Sequence, residues 1–310
     1  MSKTNLYWQV YRNLEREFLE LAETIFINDK QQEVYSMKIA DLLVRTAIEI
    51  EALAKELYLA NNGAVVPDDE MYFDTVCIKH LCGLWNIDKK MVLVVSPDLH
   101  FDEEKSKVLY PLHNADKRGK CDWKKAYQDV KHNRVRELHK GTVKHLLHAL
   151  AALYVLNLYN KEEEYLGYDE KFVGNVDLSF GSSLFAVKMH RIWQTPNDLK
   201  YKVSSDYDSC VYLQDYEPGC RTAALNAIDE IMKGKRDIVW QKMQEQILQQ
   251  LSSGEHPDLS EQNLKQLFSK ISGQGELVKE AAMPLYLQGK LEPILNMRYN
   301  VVLNKKQYSK

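Results

Sequence analysis

The sequence lacks the short motifs that identify several large enzyme classes. It contains no Gly-x-x-x-x-Gly-Lys-Ser/Thr, no Gly-x-Gly-x-x-Gly and no Gly-x-Ser-x-Gly. These patterns form the phosphate-binding loops of ATPases and dinucleotide enzymes and the nucleophile turn of α/β-hydrolases. The sequence therefore gives none of these three classes any support. It also shows no internal repeat and no low-complexity run.

Cysteine is scarce, and the cysteines show no Cys-x-x-Cys spacing. The five are Cys77, Cys82, Cys121, Cys210 and Cys220. An odd number without paired spacing argues against both a disulfide framework and a ribbon-type zinc site. Cys77, His80 and Cys82 lie close together, but a second ligand pair at a matching spacing is missing. We therefore predict reduced thiols, no metal site and no cofactor.

Long apolar runs are also missing. The most apolar stretch, residues 146–159, is shorter than the roughly 20 residues of a membrane-spanning helix, and it contains His148 and Asn157. An apolar helix of this length is typical of the centre of a bundle. The N-terminus has no basic start followed by an apolar run, so we expect no secretory signal. The sequence predicts a cytoplasmic protein without a membrane partner.

Helical periodicity is what the sequence has in abundance. Apolar residues recur at steps of three and four over residues 5–27 and 34–59, and a third long helix is expected to begin at Asp122, a plausible N-cap. Short alternating runs around 184–189 and 210–213 predict strands of a small sheet. Periodicity returns over 221–251. We predict a mainly α protein with a helical bundle at 1–160, a β-rich appendage at 161–220 and a C-terminal helical region at 221–310.

Positive charge is concentrated in residues 117–148. This segment has ten lysines and arginines, three acidic residues and four of the nine histidines, whereas the whole chain has a net charge of −3. The histidines are His132, His139, His145 and His148. A concentrated basic field attracts a polyanion, and histidine exchanges protons near neutral pH. The pattern indicates a protein that acts on RNA.

A continuous third helix would place Arg134 on the same face as Trp123, Tyr127 and Val130. An arginine on a core-facing stripe needs an acidic partner or an anion. Glu49 and Glu51 of helix two are the candidate partners.

On that helix the histidines fall on two faces. His132, Arg136 and His139 would form an exposed cluster roughly opposite Arg134, and His145 would return to the Arg134 face. Such groups suit metal-independent RNA cleavage, in which a histidine removes the 2′-hydroxyl proton and an arginine stabilises charge on the phosphate. The spacing also allows a structural role, with Arg134 paired to Glu49, the histidines satisfied in the core and the lysines solvated.

The run Trp123-Lys-Lys-Ala-Tyr-Gln-Asp-Val-Lys-His-Asn-Arg134 resembles the signature of bacterial proteins of the HEPN-like superfamily. The segment from Arg45 through Glu49 and Glu51 to Lys55 is similar to theirs as well. The resemblance implies a helical bundle that commonly dimerises. Many members are RNases of toxin, abortive-infection and antiviral systems.

The catalytic motif of that superfamily is an arginine followed, after four to six residues, by a histidine. The resemblance thus implies that Arg134 and His139 are the catalytic pair, with Lys131, His132, Arg136 and His145 binding the RNA. Catalytic members usually carry a polar residue after the arginine, where this chain has Val135. A non-catalytic module that binds RNA, a nucleotide or a protein therefore remains open. So does an interaction protein that recruits a partner through the 161–220 region.

Overall fold

The computed structural model describes residues 6–67, 69–191, 206–217, 219–254 and 256–305. Within this part the chain is mainly helical. The α-helices are Leu6–Ala22 (α1), Met37–Ala60 (α2), Lys79–Trp85 (α3), Glu104–Lys107 (α4), Asp122–Glu137 (α5), Val143–Lys161 (α6), Glu170–Val173 (α7), Cys220–Ser252 (α8), Glu261–Ser272 (α9), Glu276–Leu287 (α10) and Glu292–Leu295 (α11). The predicted mainly α composition is confirmed.

Short strands form three small sheets in the described part of the chain. The strands are Ile27–Asn28 (β1), Val92–Val94 (β2), Leu99–His100 (β3), Val108–Leu109 (β4), Tyr165–Tyr168 (β5), Phe185–Val187 (β6), Met189–Arg191 (β7), Tyr212–Tyr216 (β8) and Tyr299–Leu303 (β9). β1 pairs with β3, and β2 lies between β4 and β6. The largest sheet has the order β5-β9-β8-β7, in which only β7 and β8 are parallel. The predicted strands around 184–189 and 210–213 are confirmed.

The helical bundle is built around α6. Every residue from 149 to 159 is buried, so α6 is apolar on all sides and α1 and α2 pack against it. This confirms the prediction of a central helix in the bundle. Ser36 is the N-cap residue of α2, and its hydroxyl accepts a hydrogen bond from the Ile39 amide at 3.1 Å. No helix among the described residues combines the length and apolarity that crossing a membrane requires.

A buried carboxylate connects the bundle to the strands. Glu15 of α1 accepts hydrogen bonds from Tyr11 Oη at 2.9 Å and from the backbone amides of Ser183 at 2.9 Å and Leu184 at 3.0 Å. The guanidinium group of Arg12 forms an ion pair with the Glu15 carboxylate, with 2.8 Å between the nitrogen and the oxygen. The charge is therefore fully satisfied although its site is buried. These bonds fix the chain just before β6 against the bundle.

The predicted β-rich appendage shares its core and its sheets with other parts of the chain. β6 pairs with β2, which precedes the bundle's central helix, and β9 from the C-terminal part lies between β5 and β8. Side chains of these strands belong to the same hydrophobic core as the bundle. A second, smaller core joins α8, α9 and α10. Residues 192–205 and 218 of the predicted appendage lie outside the described residues, and the division into three domains stays a prediction.

The prediction of one continuous helix from Asp122 through His148 is wrong. Asn133 has non-helical backbone angles, a 3₁₀ turn covers Leu138–Lys140, and a new helix starts at Val143. Thr142 caps that helix by accepting from the His145 amide at 3.3 Å. Gly141 permits the break because a Cβ there would lie 2.7 Å from the Ala40 Cβ of α2.

The start of α5 also differs from the prediction by one residue. Cys121 occupies the N-cap position, and Asp122 is the first helical residue. The Asp122 carboxylate still lies in the first turn, where the helix dipole favours negative charge.

Candidate functional site

Residues 131–140, which we call the basic turn, connect the regular part of α5 to α6. Lys131, His132, Arg136 and His139 are exposed, and Arg134 is half-buried. The backbone leaves the helical path at Asn133, so these side chains do not divide into the two helix faces expected from the sequence. Val135 is 96% exposed, although it is apolar. The basic turn therefore presents Lys131, His132, Arg136 and His139 to solvent.

The arginines of the basic turn have no acidic neighbour within ion-pair distance in the described part of the chain. The acids there pair with Lys140, whose Nζ lies 2.8 Å from Asp129 and 3.0 Å from Glu137. These hydrogen bonds raise the pKa of Lys140 above its ordinary value. Arg134 and Arg136 thus keep their charge and hydrogen-bond donors available for an anion.

The structure does not form the predicted pair between Arg134 and Glu49. The arginine of α2, Arg45, instead makes two hydrogen bonds of 2.8 Å with Glu17 of α1. Glu51 lies beside Tyr127 and Lys131. Burial and the nearby Glu51 raise the pKa of Tyr127, while the ammonium group of Lys131, 2.8 Å from the Tyr127 oxygen, opposes that rise. Of the two predicted charge partners, Glu51 contacts the end of α5 that leads into the basic turn.

His139 has a defined tautomer. Its Nδ1 lies 3.2 Å from the carbonyl oxygen of Arg136. A carbonyl only accepts, so Nδ1 carries a hydrogen, and in the neutral ring Nε2 holds the lone pair. A neutral imidazole in this state accepts a proton at Nε2, as a general base must. His132 lies seven residues earlier in the chain, with Nε2 3.2 Å from Oε1 of Gln128.

A second feature, the histidine pocket, lies next to the basic turn. It is a cavity of about 170 Å³ at the start of α5 and α6. Its charged and imidazole groups come from His113, His145, His148, Lys120 and Lys144 together with Asp122. The volume is enough for a phosphate group or for several water molecules at about 30 Å³ each. Lys144 also lies 4.0 Å from Glu33, an exposed and therefore weak pair.

The pocket and the turn are joined through His145. Nδ1 of His145 donates to the carbonyl oxygen of Lys140 over 2.7 Å. Burial and the neighbouring Lys144 and His145 lower the pKa of His148 to about 4. His148 is therefore neutral at pH 7, and Lys120 and Lys144 bring positive charge to the pocket.

The sequence places Lys124 in the basic segment 117–148, but the structure buries its side chain instead of exposing it. Its ammonium group is buried and bonds to Asp74 at 2.9 Å and to the carbonyl oxygens of Ala115 at 2.7 Å and Lys117 at 2.9 Å. These bonds hold the 113–117 loop against α5, which places His113 at the pocket. His113 is not among the site residues predicted from the sequence, because a bond from Lys124 across the loop has no local signal there.

The low pKa of His148 makes stability depend on pH. The unfolded chain, with a histidine pKa near 6.5, binds a proton that the folded state takes up only near pH 4. We expect stability to fall by about 3 kcal/mol as the pH drops from 6.5 to 4, since each pKa unit corresponds to about 1.4 kcal/mol. Urea unfolding at several pH values measures this. His148→Asn should flatten the profile, and replacing the exposed His100 with Asn should not; equal profiles for all three proteins would contradict the prediction.

The basic turn carries Lys131, His132, Arg134, Arg136 and His139, and its last residue, Lys140, contacts His145 of the histidine pocket. No protein-family model, curated protein or solved structure matches the chain. The arrangement offers an anion two adjoining places to bind: an exposed arginine-rich turn and a concave pocket with lysines and imidazoles.

Proposed function

We propose that this chain is a HEPN-like bacterial protein that binds RNA through the basic turn and cleaves it without a metal ion, in a defence or toxin context in the cytoplasm. The observation that carries the proposal is the pair of arginines that have no acidic partner among the described residues, next to His139 with a free Nε2. Guanidinium groups bind phosphate with two parallel hydrogen bonds, and a free imidazole nitrogen accepts a proton.

In this proposal His139 Nε2 takes the proton of the ribose 2′-hydroxyl. The 2′-oxygen attacks the adjacent phosphorus, the bond to the 5′-oxygen breaks, and that oxygen receives a proton from a general acid or from water. Arg134 stabilises the negative charge that develops on the phosphate oxygens. Lys131, His132 and Arg136 bind neighbouring phosphates, and His145 contacts the RNA from the pocket. The expected products end in a 2′,3′-cyclic phosphate.

A homodimer is part of the proposal. Val135 lies between the two arginines and is almost fully exposed. A second copy of the chain would bury this apolar side chain in a dimer interface. Pairing of two basic turns would place Arg134 of one copy near His139 of the other. The 161–220 region is the candidate surface for a different protein partner.

A non-catalytic RNA-binding module is the second candidate function. The observations that favour it are that the lining of the histidine pocket includes neither Arg134 nor His139, and that Val135 follows the arginine. In this case RNA binds to the histidine pocket and to the basic turn, but Arg134 and His139 never contact the same phosphate.

The deciding experiment is a digest of total RNA and of tRNA by the purified protein in EDTA, with analysis of the product ends. Cleavage that leaves 2′,3′-cyclic phosphate supports the metal-independent RNase. Intact RNA together with salt-sensitive binding supports the non-catalytic module. Intact RNA without binding contradicts both.

The affinity for RNA should fall as the salt concentration increases, and replacing Arg136 should reduce the steepness of that fall. Each phosphate of single-stranded RNA that the protein neutralises releases counterions and adds about 0.7 to the steepness of log affinity against log salt. Arg136→Ala should make the slope shallower by about that amount, whereas Arg236→Ala, which changes an exposed arginine of α8, should leave it unchanged. Fluorescence anisotropy over a salt series measures the slopes. Identical slopes for both variants and the wild type would contradict RNA binding at the basic turn.

A further inference from the structure

Three side chains of different chemical types meet at the edge of the four-stranded sheet. Nδ1 of His190 lies 3.1 Å from Oδ1 of Asp206, and Sγ of Cys210 lies 3.9 Å from Oδ2 of the same carboxylate. One ligand atom from each residue lies within 4.8 Å of the others. His190 and Cys210 are buried, and Asp206 is half-buried. This group is far in the sequence from the basic turn and plays no part in the proposed function.

The fold places these residues through a strand pair and a single turn. His190 belongs to β7, which runs parallel to β8 at the edge of the sheet. Asp206 and Cys210 occupy the turn before β8, where the amides of Ser209 and Cys210 both donate to the Asp206 carbonyl at 3.1 Å. A turn closed by a bond from residue i+4 to residue i puts its first and last side chains on one side.

The backbone of that turn is held from two further directions. Asn304, next to β9, donates through Nδ2 to the carbonyl oxygens of Tyr207 at 2.7 Å and Cys210 at 3.0 Å. The ammonium group of Lys90 donates to the carbonyl oxygens of Asp208 at 3.0 Å and Cys210 at 3.1 Å. The ligand atoms therefore stand on a braced backbone, as a preformed metal site requires.

The spacing and the donor types agree with zinc. Tetrahedral zinc with bonds of about 2.0–2.3 Å keeps its ligand atoms about 3.3–3.8 Å apart. The two separations here, 3.1 Å from His190 to Oδ1 and 3.9 Å from Cys210 to Oδ2 of Asp206, fall just below and just above that range and join different oxygens of the carboxylate. An imidazole, a carboxylate and a thiolate form a set that zinc accepts, whereas magnesium and calcium prefer oxygen ligands throughout.

We propose that His190, Asp206 and Cys210 form a zinc-binding site, to which the three side chains contribute three of the four ligands. Zinc displaces the proton of the Cys210 thiol, and His190 binds through Nδ1 as the tautomer with its hydrogen on Nε2. One proton leaves the thiol for each ion bound.

Charged groups surround the Cys210 thiol. Burial and the nearby Asp206 raise the pKa of Cys210 to about 12, so the thiol is protonated without metal and zinc must compete with that proton. Burial lowers the pKa of Lys90 to about 8. The charges near the thiol are Asp206, Asp208, Lys188 and Lys90.

The test uses the full chain, freed of metal by a chelator and then titrated with Zn²⁺ by calorimetry and with Co²⁺ by absorption spectroscopy. The wild type is expected to bind one ion and to show a thiolate-to-cobalt charge-transfer band. Cys210→Ser should lose that band and weaken zinc binding by more than about 100-fold, since even outer residues of zinc sites change affinity 10- to 100-fold. Asp206→Asn keeps the hydrogen bonds of the turn and should also weaken binding.

Cys82→Ser is the matched control, because Cys82 is a half-buried thiol in the other cysteine and histidine group of the chain. Its band and zinc affinity should equal those of the wild type. Circular dichroism in EDTA should show the same helical content for Cys210→Ser and metal-free wild type, so that a loss of binding is not a loss of folding. Absence of stoichiometric binding by the wild type, or loss of the band in Cys82→Ser and its retention in folded Cys210→Ser, would overturn the proposal.

Discussion

Replacing His139 or Arg134 with alanine is expected to lower the rate of RNA cleavage by about 10²–10⁴-fold, the usual contribution of general acid–base or charge-stabilising groups. His139 is exposed, and its one hydrogen bond in the described structure, to the Arg136 carbonyl, lies in the same turn. Arg134 is half-buried but has no ion-pair partner among the described residues. Neither truncation opens a core cavity, so the melting temperature should change little. Initial rates on a labelled RNA in EDTA and thermal melts measure the two effects.

Two exposed residues away from the basic turn provide matched controls. His100→Ala and Arg236→Ala remove the same side-chain types and should cleave RNA at the wild-type rate. A large loss of stability in Arg134→Ala would instead show that the arginine braces the bundle. Full activity in both His139→Ala and Arg134→Ala would remove this pair from the reaction.

A mixing experiment decides whether the pair acts within one chain or between two. In a heterodimer of Arg134→Ala and His139→Ala chains, a site shared between copies has one intact combination. A site within one copy has none. Activity should therefore return on mixing if Arg134 of one copy meets His139 of the other, and it should stay absent if both groups come from the same chain.

The bundle could be predicted from the sequence because helical burial is a local pattern. Tyr11, Leu14 and Phe18 recur at steps of three and four, and they are the buried face of α1. The continuous apolar run of α6 likewise predicted its central position. Such patterns show which side of a helix faces the core, because residues three and four positions apart lie on the same face of the helix.

The breaks between α5 and α6 could not be predicted in the same way. The charge and helix pattern continue past Asn133, and the chain departs from it because Thr142 caps a new helix and Gly141 lies against Ala40 of a distant helix. The sequence thus indicated the basic residues of the turn but gave them the wrong relative positions. Local propensity is overridden by tertiary contact at these residues.

The histidine pocket and the proposed zinc site depend on contacts between distant segments. His113 reaches the pocket because Lys124 holds its loop, and His190 meets Cys210 because β7 pairs with β8. Sequence spacing detects ligands that share one turn or one helix, as in Cys-x-x-Cys motifs. Ligands that a sheet edge brings together give no such signal, which is why the sequence predicted no metal site here.

Lys124→Met is expected to destabilise the protein by about 3–5 kcal/mol, the usual cost of removing one partner from a buried ion pair. The ammonium group is the shared donor for Asp74 and for the carbonyl oxygens of Ala115 and Lys117. Methionine preserves most of the volume of the side chain, so the loss is due to the unsatisfied acceptors and the uncompensated Asp74 charge. Urea unfolding at pH 7 measures the change in the free energy of unfolding.

The neighbouring Lys125 gives a matched control, because it is exposed on the same turn of α5. Lys125→Met should change stability by less than about 0.5 kcal/mol. The double variant Lys124→Met/Asp74→Asn should recover part of the lost stability, since it also removes the buried charge that the single variant leaves unpaired. It should not recover all of it, because two carbonyl oxygens still lack their donor. Equal stability of Lys124→Met and Lys125→Met would show that water replaces the ammonium group at no cost, and that the 113–117 loop does not need it.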